Sequence, residues 1–155
     1  LGLMGSSAGG IPAGVAMVRR PELFGAVVLN AAILSPIQLE NNGALGPLHA
    51  REFGSSTTPE GASTLRQIDA YSLVERGKRY PATLLLAGAA DFRVPSWQAT
   101  KMHAKLKDAS PEGGPFLLRV DTDGHQGAVV SDNAAENDAD VTAFLLWRLG
   151  HPDFR

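Results

Sequence analysis

Three side chains with the chemistry of acyl transfer stand far apart in this 155-residue chain: Ser7, Asp91 and His125. Ser7 is the centre of Gly5-Ser6-Ser7-Ala8-Gly9, a Gly-x-Ser-x-Gly pattern. Such a serine sits on a tight turn between a strand and a helix, which lifts its hydroxyl clear of its own backbone. The conformation is strained, so the residues two before and two after the serine are expected to be small enough for strand and helix to pass closely. A serine hydroxyl attacks a carbonyl carbon once an imidazole takes its proton and a carboxylate orients the imidazole. A flexible loop of common residues also produces the five-residue pattern, so its meaning depends on where Asp91 and His125 fall.

The elements that must position the three residues are legible as apolar runs. Leu1-Gly2-Leu3-Met4 reads as the tail of a buried strand leading into the serine turn. Ala8 to Arg19 is rich in Ala, Val and Met, which predicts a buried helix ending at Pro21, with Pro12 tolerated in its first turns. Phe24 to Ala32 is a short continuous apolar run, the mark of a parallel strand covered on both faces. Asn30 lies near the C-terminal end of that run, the end that faces the ligand crevice in an open parallel sheet. It is either a site residue or a buried asparagine satisfied by neighbouring backbone. Residues 34–63 lose periodicity, an irregular excursion with a short helix around Leu48 to Phe53, and helical spacing resumes from Ser63 to Val74.

Pro81 introduces the clearest strand, Ala82 to Ala87, and Asp91 follows just past its end, where site residues of such sheets gather. Asp91 can instead cap the following helix, but Ser96 offers a cap of its own and leaves Asp91 free. The helix from Ser96 to Leu106 turns Trp97, Met102 and Leu106 to one side and His103 to solvent. Pro115 to Asp121 is a further strand, running into Thr122-Asp123-Gly124-His125-Gln126-Gly127-Ala128. Among the four histidines His125 alone lies just past a predicted strand end, in a glycine-flanked loop that lets the imidazole turn inward. His49 reads as a surface or packing residue. The last helix, Ala134 to Leu149, carries Val141, Phe144, Leu145 and Trp147 as an apolar stripe and ends at Gly150. Strands alternating with helices require a mostly parallel sheet flanked by helices, and the order Ser, Asp, His is that of α/β-hydrolases.

Composition narrows the alternatives. A hydrophobic share of 44% with 19% charged residues is that of a soluble globular domain, and a net charge of -2 gives no electrostatic reason to expect nucleic acid or an acidic membrane as partner. No apolar stretch approaches the roughly 20 residues of a membrane span. The chain has no cysteine, which excludes disulfides and thiolate chemistry and leaves cytoplasm and periplasm equally open. The histidines show no paired ligand spacing, which disfavours a metal enzyme, and no cofactor is implied. The chain opens inside what reads as a core strand without an initiating methionine. Residues 1–155 are therefore expected to be the C-terminal part of a single, longer catalytic domain.

Several segments together carry a more specific resemblance: Gly-Ser-Ser-Ala-Gly-Gly (5–10), Arg-Arg-Pro-Glu-Leu-Phe-Gly-Ala-Val-Val (19–28), Glu-Phe-Gly (52–54), Tyr-Pro-Ala-Thr-Leu-Leu-Leu (80–86), Asp-Phe-Arg-Val-Pro (91–95) and Asp-Thr-Asp-Gly-His-Gln-Gly (121–127). In this order they resemble the catalytic domain of the prolyl oligopeptidase family of serine peptidases. The resemblance implies an α/β-hydrolase fold, with Ser7 as nucleophile, Asp91 as the acid of the triad and His125 as its base. It implies Arg93 as a residue that helps hold substrate, and Val94 next to it and Asn30 at its strand end are the other substrate-binding candidates. The backbone N–H of Ala8 is the expected oxyanion donor, a second donor being expected upstream of Leu1, so that the isolated piece is expected to be inactive. The implied partners are a peptide substrate, the upstream part of the same domain and a β-propeller. Three departures weaken proline specificity: Ala8 stands where the family often has Asn, Phe92 where it often has Asp, and Gln126-Gly127 where Gly-Ala or Gly-Gly is usual. An esterase or lipase-like hydrolase shares the fold and the triad. A non-catalytic interaction module on the same scaffold is the remaining reading, against which the presence of all three triad candidates argues.

Overall fold

Runs of Val, Leu and Ala bounded by Gly and Pro form the strands of the computed structural model, which describes residues 1–42, 45–122, 124–125 and 134–154. Four strands, β1 (Gly2–Ser6), β2 (Ala26–Asn30), β3 (Ala82–Gly88) and β4 (Phe116–Asp121), lie side by side in chain order. All three pairings are parallel, with Ser6 opposite Asn30, Asn30 opposite Leu86, and Gly88 opposite Asp121. The four C-terminal ends thus form one rim, and the segments leaving it carry the candidate residues.

Both faces of the central strands are covered, which is why their sequences are continuously apolar instead of alternating. Val27, Leu29 and Leu85 point to one side, against Met17 and Val18 of α1 (Gly10–Arg19) and Met102 and Leu106 of α5 (Trp97–Ala109). Ala26, Val28, Leu84 and Leu86 point to the other, against Phe144 of α6 (Ala134–Leu149). The edge strand β1 is less covered, with Met4 60% exposed. In α6 only Phe144 of the expected stripe is buried. Val141 and Leu145 are partly so, and Trp147 overhangs Leu117 of β4 in an open groove. No helix among the described residues is long and apolar enough to cross a membrane.

The excursion after β2 holds α2 (Gly46–Phe53), and the helical spacing beyond it proves to be two helices, α3 (Pro59–Gln67) and α4 (Ala70–Leu73). The break falls at Asp69, whose carboxylate accepts the Ser72 N–H at 2.7 Å and starts α4 as its N-cap. Apolar periodicity runs through this break, so spacing alone reads one helix. His103, expected on a solvated face, lies 3.1 Å through Nε2 from the Phe116 carbonyl and joins α5 to β4.

The glycines of the serine turn divide differently from expectation. A Cβ at Gly5 would stand 2.4 Å from the Ala13 Cβ, so strand and helix do pass closely there. A Cβ at Gly9, the second glycine of the pattern, would meet nothing within 4 Å. The crowded position is the next one. A Cβ at Gly10 would lie 2.5 Å from the Ala32 Cβ and 2.7 Å from the Ile33 backbone nitrogen, because α1 starts against the segment that leaves β2. Backbone cannot swing aside as a side-chain tip can. Gly10→Ala is accordingly expected to destabilise the fold by about 1–3 kcal/mol in a denaturant titration, the usual cost of overpacking, while Gly9→Ala stays within about 0.5 kcal/mol.

Candidate active site

Ser7 leaves β1 directly into a 3-10 turn (Ser7–Gly9) that runs on into α1, and its φ of 51° is in the left-handed region that side chains normally avoid. Such strain persists only where the surroundings over-determine it. Here the Ser7 carbonyl accepts the Ile33 N–H at 2.9 Å, and Gly5 and Gly10 let α1 and the 31–35 segment close on either side of the turn. The hydroxyl is thereby held up at the rim of the sheet.

Asp91 stands three residues past β3, 5% exposed. One carboxylate oxygen, Oδ1, accepts the N–H groups of Arg93 at 2.8 Å and Val94 at 2.9 Å. Ser96 precedes α5 but makes no side-chain cap bond. The aspartate therefore has a backbone task as well, organising the turn before α5, and it performs that task with one oxygen only. The other oxygen, Oδ2, lies 2.6 Å from Nδ1 of His125, and Nε2 of the same ring lies 3.0 Å from the Ser7 Oγ. The Asp91 side chain is fully shielded and that of His125 is only 10% exposed, so their hydrogen bond lies away from bulk water.

Contacts of Asp121 and Arg119 set the histidine segment. Asp121, the last residue of β4, gives its carbonyl to the Ala89 N–H at 2.7 Å, joining the loop after β4 to the loop after β3. Its carboxylate accepts Arg119 Nε at 2.9 Å and Asn137 Nδ2 at 2.8 Å, and the same guanidinium reaches Glu136 and Asp140 of α6. These carboxylates hold the Arg119 guanidinium even more firmly protonated than usual, the Glu136 contact contributing most. The polar end of α6 thus braces the strand that delivers His125. The expected segment at 121–127 is covered only in part, since Asp123, Gln126 and Gly127 lie outside the described residues.

The other expected residues surround this chain of hydrogen bonds unevenly. Ala8 is exposed at the start of the turn, beside Ser7. Arg93 and Phe92 are exposed on the Asp91 turn, whereas Val94 is buried with Ile11, Ile33 and Leu39, and with Phe53 partly buried against them. Asn30 is half-buried between Ser6 and Leu86 on the rim. Sequence reading missed the 31–35 segment, which is buried throughout and supplies the Ile33 N–H behind Ser7. The only trace it leaves in sequence is an apolar run continuing past the end of β2. A hydroxyl, an imidazole and a carboxylate in hydrogen-bonded series can move a proton from oxygen to nitrogen while stabilising the cation that results.

Comparison with known proteins bears on the family and the fold. The model of the prolyl oligopeptidase family matches residues 1–152. The chain is 34% identical over 131 residues to the uncharacterized peptidase y4nA of Sinorhizobium fredii, covering 84% of this chain and 18% of that protein. It is 26% identical over 154 residues to the prolyl endopeptidase of Elizabethkingia miricola, covering 97% of this chain and 21% of the other. A solved prolyl endopeptidase superposes with a TM-score of 0.90 at 34% identity, over 100% of this chain and 22% of its own. The chain thus spans about a fifth of the length of these relatives. With a family match over almost its whole length and a parallel α/β-hydrolase sheet, the chain belongs to the prolyl oligopeptidase family.

Proposed function

We propose that this chain carries the nucleophile, acid and base of a serine peptidase that hydrolyses short peptides, including bonds that follow proline. The observation that carries the reading is the continuous series Ser7 Oγ, His125 Nε2, His125 Nδ1, Asp91 Oδ2, with separations of 3.0 Å and 2.6 Å across two of its gaps. In this mechanism the Ser7 hydroxyl donates to Nε2 while Nδ1–H donates to Asp91. Attack of Ser7 Oγ on the scissile carbonyl carbon passes the serine proton to Nε2 and places negative charge on the carbonyl oxygen. The Ala8 N–H is offered as one donor to that oxygen. Collapse of the tetrahedral species breaks the C–N bond, and the proton on Nε2 leaves with the amine. Water then repeats the sequence on the acyl-enzyme, giving its proton to Nε2 and releasing the acid with Ser7 restored.

Membership of a family whose relatives include prolyl endopeptidases supports a peptide substrate. Arg93, exposed beside Asp91, is offered as a donor to a substrate carbonyl, and Asn30 as a polar group on the same rim. Val94 is too deeply buried to be more than the floor beneath them. The test is a comparison, in the full-length protein, of aminoacyl-proline amides, the same amides with alanine before the scissile bond, and simple acyl esters. Higher kcat/KM for the proline amides is expected. Efficient ester hydrolysis with no measurable amide cleavage would replace the peptidase reading with an esterase one.

A further inference from the structure

The 31–35 segment is irregular backbone inside the core, and its polar groups must be satisfied without a strand or helix to do it. Ala31 turns with φ at 43°, and the residues from Ala31 to Ser35 are each less than 5% exposed. Two of the N–H groups bond backbone: Ala31 donates to the Leu86 carbonyl and Ile33 to the Ser7 carbonyl, each at 2.9 Å. The next two depend on one side chain. Gln98, 2% exposed in the first turn of α5, accepts the Leu34 N–H at 3.0 Å and the Ser35 N–H at 2.7 Å through Oε1, and donates Nε2 to the Ser35 carbonyl at 3.3 Å. The Ser35 hydroxyl is held in turn by Asp69, fully buried, at 2.7 Å.

Gln98 also follows the Asp91 turn by only a few residues, and its own N–H bonds the Pro95 carbonyl at 3.0 Å. Gln98 therefore joins the two, its backbone N–H to the stretch that follows the acid's turn and its carboxamide to the segment that backs the serine. We propose that Gln98 is a positioning residue for the reaction, fixing Ser7 relative to Asp91 and His125 by clamping the 31–35 segment against the Ser7 carbonyl. It touches neither substrate nor the reacting atoms. The inference rests on the peptidase reading of Ser7, Asp91 and His125. Its physical basis is that a catalytic hydrogen bond tolerates little displacement, a shift of about 1 Å costing as much as 100-fold in rate.

Gln98→Met keeps the length of the side chain and removes all three hydrogen bonds. In the full-length protein it is expected to lower kcat, and the rate of Ser7 labelling by a fluorophosphonate, about 10- to 100-fold while KM changes less than about twofold. Rates are normalised to the folded fraction from a thermal melt, so a loss of stability cannot imitate the effect. Gln98→Glu retains the acceptor for Leu34 and Ser35 and loses only the donor to the Ser35 carbonyl. It should recover part of the rate, and it supplies the measurement if the methionine variant does not fold. A folded Gln98→Met protein that labels at the wild-type rate, or that raises KM alone, overturns the positioning role and leaves the peptidase reading intact, as does a wild-type rate in Gln98→Glu where the methionine variant does not fold. A wild-type protein that no fluorophosphonate labels at Ser7 overturns both.

Discussion

Replacing Ser7 by alanine in the full-length protein is expected to abolish fluorophosphonate labelling and to reduce peptide hydrolysis on the order of 10⁴- to 10⁶-fold, with the fold intact. The backbone gives a reason to expect a folded variant. Ser7 already occupies φ of 51°, and alanine carries the same Cβ, so the strain of the turn is unchanged by the substitution. What is lost is an oxygen 3.0 Å from His125 Nε2. His125→Ala alone should fall nearly as far, since an unassisted serine hydroxyl is a poor nucleophile. The double variant should be scarcely worse than either single one. Two residues acting on separate steps would instead multiply their losses, and that outcome, or a Ser7→Ala protein with more than about a tenth of the activity, would remove these residues from the proposed mechanism.

The rim of the sheet was legible in sequence because buried parallel strands leave an unusually plain signal. The apolar runs Ala82 to Ala87 and Pro115 to Asp121 fall within one residue of the observed strands Ala82–Gly88 and Phe116–Asp121, and α6 spans the bounds its sequence indicates. Residues that follow such runs inherit a position, which is why Asp91 and His125 could be selected without a structure. The glycines were legible only in part. The pattern names Gly5 and Gly9, but packing crowds Gly5 and Gly10, because the body pressing on the turn is the 31–35 segment and not β1 alone. No local rule reports which distant segment will press on a turn.

The polar core behind the serine was invisible for the same reason. Ser35, Asp69 and Gln98 are separated by 34 and 29 positions, and each is of a type normally found on the surface. In sequence Asp69 reads as an ordinary polar position in a helix and Gln98 as part of a helix's first turn. Only the folded chain brings them around irregular backbone that needs partners. His103 and the divided helix at Asp69 are the same lesson at smaller scale: periodicity locates faces, whereas breaks and cross-links depend on neighbours far along the chain.

Asp91→Asn should be folded, and about 10⁴-fold slower in peptide hydrolysis, because of how the carboxylate is divided between its two tasks. Oδ1 accepts two backbone N–H groups, from Arg93 and Val94. An asparagine in the same place must keep its carbonyl oxygen there, since turning its NH₂ toward two N–H donors would leave all of them without an acceptor in a buried turn. The NH₂ is therefore forced toward His125 Nδ1, where Asp91 Oδ2 stood at 2.6 Å. Facing a donor, Nδ1 becomes the acceptor and the ring proton moves to Nε2. That nitrogen can then no longer take the Ser7 proton. The variant thus retains every heavy atom near its place and reverses the direction of both imidazole hydrogen bonds. Asp91→Ala removes the orientation without imposing the wrong one. It should cost more stability, because Arg93 and Val94 lose their acceptor, yet leave more residual kcat than Asp91→Asn. Measuring kcat and a thermal midpoint for both variants separates the two effects. An Asp91→Asn protein with kcat near the wild-type value would mean that the acid serves only to hold the turn.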